Sequence, residues 1–149
     1  MHVHGFSHMS VHFLKIVVDY SKKNFSADYD TVIKPMADFS LQLAQIVGAN
    51  PIICMISSLL HKLADNTTGE FRSNKVNALL REFGFNSEMI DSINSCILNF
   101  IPAHRNDQNT PEERVVADAY ILTYWRELDN ADFKFNFFQS EQIFMAIDK

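Results

Sequence analysis

Apolar residues recur at three- and four-residue intervals through most of this chain, and that period belongs to helices rather than strands. Val11, Leu14, Val17 and Val18 predict a first amphipathic helix over residues 10–24. A second is predicted over 31–47, with Asp30 as cap, Pro35 in the first turn, Gly48 as stop, and Val32, Met36, Phe39, Leu43 and Val47 as its apolar face. Pro51 opens a third, IICMISSLLHKLA, apolar nearly all round and so expected at the centre of a bundle.

Beyond it the pattern predicts a fourth helix over 74–83, a stop at Gly84, and a fifth over 87–101 with Ile90, Ile93, Ile97 and Ile101 in register. Thr110-Pro111-Glu112-Glu113 combines a cap residue, Pro at the first helical position and Glu three residues after the cap, which marks the start of a sixth helix reaching about Leu128. The stretch from Phe133 to Phe138 alternates apolar and polar residues. It is expected to be extended, ahead of a short final helix. The pattern implies an all-α bundle of about six to seven helices.

Composition narrows this picture. With 149 residues, 47% of them apolar, and only four Gly and four Pro, the chain suits one domain around one core, with no linker or repeat to divide it. A net charge of −5 with both signs interspersed offers no basic stripe, so a nucleic-acid polymer is not an expected partner. Lys15 interrupts an N-terminal apolar run already too short for a membrane span. Cys54 and Cys96 lie inside apolar runs, where a free thiol acts as a small hydrophobe, and a cytoplasmic setting is expected.

The candidate chemistry begins with Asp118, which falls on the face that Val115 and Leu122 define and is expected to point inward. A carboxylate there needs a hydrogen-bond, charge or metal partner. His61 closes the most apolar helix and is expected at the rim of the core, either as a satisfied core histidine or as a ligand.

The run AQIVGANPIICMISSLLHK, followed by CILNFIPAHR and TPEERVVADAYIL, resembles the HD superfamily of metal-dependent phosphohydrolases over residues 28–125. The first helix and the Phe-rich tail lie outside that resemblance. In that family an early His, an adjacent His-Asp pair and a late Asp hold one or two divalent metals that activate water against a phosphate ester. The resemblance places His61 at the His of the doublet and Asp118 at the late Asp. Lys62 stands where the doublet's Asp belongs, and Val32 where the early His belongs.

An ammonium has no lone pair to donate and repels a divalent cation. Two arrangements of Lys62 stay open: a pair with Asp118 that replaces the missing cation, or an outward turn toward Asp65 or Asn66. The resemblance also matches His104 to a pocket His of some members, with Arg105 beside it. Lys62, His104 and Arg105 are thus the expected ligand-binding residues, and Arg72 and Lys75 are weighed as further cations around the pocket or as ordinary solvated charge.

His8 and His12 stand four residues apart, with His2 and His4 nearby. That spacing suits a rebuilt metal site as well as adventitious nickel or zinc binding.

Three functional expectations follow. The first is a catalytically degenerate HD domain that binds a small phosphate- or nucleotide-like anion or a protein partner. The second is an active metal phosphohydrolase using His61 and Asp118, with Mn, Fe, Ni or Zn in a site rebuilt with substitutes such as His104. The third is a structural or interaction protein that contacts a partner, or a second copy of itself, through Phe133, Phe135 and Phe137.

Overall fold

A computed structural model describes residues 8–64, 69–100 and 108–128, with side chains over 11–64, 75–100 and 108–124. Among these residues the chain is an all-α bundle. The elements are α1 (His8–Asn24), a short α2 (Ser26–Asp28), a π-helical turn (Tyr29–Ile33), α3 (Lys34–Val47), α4 (Pro51–Leu59), a 3-10 turn (His61–Ala64), α5 (Gly69–Glu82), α6 (Ser87–Asn99) and α7 (Pro111–Leu128). None of the described helices is long and apolar enough to cross a membrane.

α4 occupies the centre, as its apolar circumference predicts. It packs against α1, α3, α6 and α7, and Ile52, Ile53, Cys54, Ile56, Ser57, Ser58 and Leu59 are all buried. Its hydroxyls are satisfied locally, as burial demands: Ser57 Oγ donates to the Ile53 carbonyl at 2.7 Å, and Ser58 Oγ bonds Ser40 Oγ of α3. Asn50, rather than Pro51 alone, starts the helix, because its side chain accepts from the amides of Ile52 and Ile53 and satisfies two of the orphan donors of a first turn.

The second predicted helix differs at its start and ends where predicted, at Val47. Helix begins at Ser26, and the Tyr29–Ile33 segment widens to a π turn in which the Lys34 amide donates to the Tyr29 carbonyl five residues back. Asp30 therefore lies inside that turn and caps nothing. Val32, Met36, Phe39 and Leu43 are buried as expected, whereas Val47 is 53% exposed beside Ile46 at 54%, because the last turn of α3 extends past the core. Gly48 ends it with φ +78 and donates its amide to the Ala44 carbonyl, a left-handed C-cap that glycine adopts without strain.

α7 starts as the sequence predicts. Thr110 Oγ1 accepts from the Glu113 amide at 3.2 Å, and Glu113 Oε1 accepts from the Thr110 amide at 3.1 Å, a reciprocal capping box. Asn109 also donates to Glu113 at 3.1 Å. Glu112 Oε2 accepts from the Asn50 amide at 2.9 Å, which ties the start of α7 to the start of α4. α5 begins earlier than predicted, at Gly69, and α6 runs from Ser87 with Ile90, Ile93 and Ile97 buried. Ile101 and the Phe133 to Phe138 stretch lie outside the described residues.

Candidate functional site

The C-terminal end of α4 leaves carbonyls without intrahelical partners, and side chains supply them. Ser21 of α1 donates its hydroxyl to the Leu59 carbonyl at 2.8 Å. The imidazole of His61, in the 3-10 turn that follows, curls back so that Nδ1 lies 2.7 Å from the Ser58 carbonyl. A carbonyl only accepts, so Nδ1 carries a proton, and in the neutral ring Nε2 presents its lone pair.

That lone pair meets a hydroxyl. Tyr124 Oη of α7 lies 2.9 Å from His61 Nε2, and the phenol donates to the neutral imidazole. The ring is 1% exposed and stands edge-on to Phe100, with centroids 5.7 Å apart, and to Tyr124 at 6.0 Å. Tyr120 packs on Phe100 at 4.8 Å and on Tyr124 at 4.4 Å, completing an aromatic enclosure. His61 is thus more deeply placed than the rim position expected of it, and it serves as a helix cap as well as a core residue.

α7 is buried around most of its circumference: Glu113, Val115, Val116, Ala117, Ala119, Ile121, Leu122 and Thr123 are all covered. Asp118 is half-buried, on the one edge that also carries the exposed Pro111 and Arg114. At 100° per residue it stands about 120–160° around the axis from Tyr124 and Tyr120, the residues that face His61. The small Ala117 and Ala119 are both buried in a helix that packs on α3 and α4.

Lys62 follows His61 on the 3-10 turn. Its Nζ lies 3.7 Å from Asp28 Oδ2, with the side chains 23% and 49% exposed respectively. Asp28 ends α2, and neither arrangement of Lys62 drawn from sequence spacing names it. Val32, four residues on, is buried in the π turn with 7% exposure.

Lys75 and His12 are exposed. His2, His4, Asp65, Asn66, His104 and Arg105 lie outside the described residues, and nothing is described of the side chains of His8 and Arg72. Among the described residues no group of three or more His, Cys, Asp or Glu is arranged to hold a metal ion. A cavity of about 210 Å³ does exist, between α6 and the start of α7, lined by Asp91, Ser92, Ser95, Thr110 and Glu112. Asp91, Ser92 and Ser95 belong to α6, Thr110 caps α7, and Glu112 is engaged by the Asn50 amide.

The thiols behave as core groups. Burial pushes the Cys96 thiol up to about 12 and moves Cys54 upward as well, with Cys96 and Glu112 adding to the shift at Cys54.

No family model and no curated protein matches the chain. Solved structures similar to it include YpgQ of Bacillus subtilis, 21% identical with a TM-score of 0.63 over 77% of this chain and 60% of that one. YpgQ in complex with ADP aligns at 21% identity with a TM-score of 0.55 over 89% of this chain and 69% of that one. The likeness at this identity is one of fold, and the chain spans about 60% of the length of the first of these structures.

Proposed function

We propose that the chain is a catalytically degenerate HD-type helical domain that binds a small phosphate- or nucleotide-like anion without a metal. The observation that carries the reading is the hydroxyl of Tyr124, 2.9 Å from His61 Nε2, which takes up the lone pair a metal would need. The other two altered positions agree: Val32 is buried and apolar, and Lys62 places an ammonium where the resemblance calls for a carboxylate. These residues do not fit a divalent ion. A fixed cation does fit an anionic group, and a protein of similar fold has been seen with ADP.

A second reading, an active phosphohydrolase, has one feature in its favour. A backbone carbonyl on Nδ1 is the usual way in which a metal-bound imidazole is oriented, and His61 has that carbonyl.

The two readings separate in one experiment. Thermal unfolding is followed with ADP, inorganic phosphate and pyrophosphate under chelation, and turnover of nucleotides and phosphate esters is assayed with added Mn, Fe, Ni and Zn. The proposed function predicts a rise in Tm with an anion under chelation, by mass action on the folded state, and no turnover. Metal-dependent turnover that Asp118→Ala abolishes would establish the enzyme instead. Silence in both assays would leave the interaction protein as the surviving class.

A further inference from the structure

Lys62 is a cation already in company. Its partner Asp28 is the more exposed of the two, 49% against 23%, and the 3.7 Å between Nζ and Oδ2 is an ion pair without a direct hydrogen bond. The ammonium is anchored on the 3-10 turn after the central helix. The carboxylate stands at the end of a three-residue helix just before the π turn, where it makes no cap hydrogen bond to the backbone. A phosphate oxygen brings more charge and makes charge-assisted contacts of about 2.7–2.9 Å, closer than the 3.7 Å at which the carboxylate stands.

We infer that Asp28 is a resident counter-anion for Lys62, a carboxylate that an incoming phosphate group must displace. The inference rests on the anion-binding reading above and adds its regulation: Asp28 competes with the ligand for Lys62, and affinity is set below what it would be without that carboxylate. Ion pairs open to solvent on one side are weak, and Asp28 is half-exposed, which bounds the effect. Releasing the pair tightens binding about two- to fivefold, equivalent to ~0.4–1 kcal/mol at 1.4 kcal/mol per tenfold.

The test is calorimetric titration of ADP and of inorganic pyrophosphate, at low ionic strength, into the full chain and five variants. Asp28→Asn is expected to bind about two- to fivefold more tightly, and Asp28→Glu, which keeps the charge, to bind like the parent. Asp30→Asn controls for net charge, since Asp30 is an exposed carboxylate on the adjoining turn, and it should gain clearly less. Lys62→Met should lose binding, and adding Asp28→Asn to it should restore nothing. Binding by Asp28→Asn where the parent shows none would also support the inference. If the parent binds but Asp28→Asn gains nothing, or Asp30→Asn gains as much, the counter-anion falls and the anion-binding reading stands. If no variant binds either probe, both fall together.

Discussion

Tyr124 Oη and His61 Nε2 lie 2.9 Å apart across 63 residues of sequence, and this contact joins the 3-10 turn after the central helix to α7, the last described helix. It makes the imidazole a structural member with both nitrogens engaged. Tyr124→Phe removes the donor and strands a buried Nε2, so a loss of about 1–3 kcal/mol is expected in urea unfolding. His61→Leu, which removes the other partner, should reduce the additional cost of Tyr124→Phe in a double-mutant cycle. Equal costs in both backgrounds would show that the bond does not couple the two helices.

Thr110→Ala breaks one half of the capping box at the start of α7 and should cost about 1 kcal/mol, within the usual 0.5–2 kcal/mol for a lost cap. Thr110→Ser keeps the hydroxyl and should recover most of it. An unchanged denaturation midpoint for the alanine variant would mean that Asn109 and Asn50 hold Glu113 and Glu112 well enough without it.

Lys62→Met separates stability from binding. The pair with Asp28 is long, at 3.7 Å, and half-exposed on the Asp28 side, so the substitution should change unfolding free energy by no more than about 1 kcal/mol, while the thermal response to ADP disappears. A large loss of stability would instead assign Lys62 a buried structural partner.

The cysteines give a pH signature. Their folded-state values lie above the ordinary 9.0, so the unfolded chain releases thiol protons before the folded one does. The stability they contribute is fully present below pH 9 and declines as pH rises from there toward 12. Iodoacetamide at pH 8 should leave both thiols unmodified in the folded protein and alkylate both in urea. Rapid labelling of the native chain would contradict the burial of Cys54 and Cys96.

Gly48 holds φ +78, and a Cβ built there meets nothing within 4 Å. Gly48→Ala therefore adds backbone strain without a clash, and about 1–2 kcal/mol of destabilisation is expected. A smaller figure would indicate that α3 can end without the left-handed turn.

Much of the fold was legible because it is written at short range. The 3.6-residue period exposes each amphipathic face, the circumference of α4 announces a central helix, and Thr110 with Glu113 spells a helix start. Asn50 before Pro51 was an equally local signal and went unread. The π turn at Tyr29–Ile33 carries no marker, since one extra residue in a turn leaves composition and period nearly unchanged; Asp30 was misassigned for that reason.

The candidate site was legible only in its parts. Nothing local tells His61 that it will meet Tyr124, or Lys62 that it will meet Asp28, because those contacts depend on how helices distant in sequence rotate against one another. Asp118 shows the same limit from the other side: its spacing to Val115 and Leu122 is right for a common face, yet α7 is buried so widely that sharing that face still leaves it at the edge.

The placement of α7 has a consequence for how the protein is made. This helix packs on α3, α4 and α6, so the central layer, already met by α1 and α6, completes its cover only when its last described element is synthesised. At roughly 5–20 residues per second, α3 and α4 wait several seconds on the ribosome with their inner faces open. Nascent chains stalled before residue 110 should be protease-sensitive and held by chaperones, whereas chains released past residue 128 should become resistant in one step; early resistance would show that the first six helices close without the seventh.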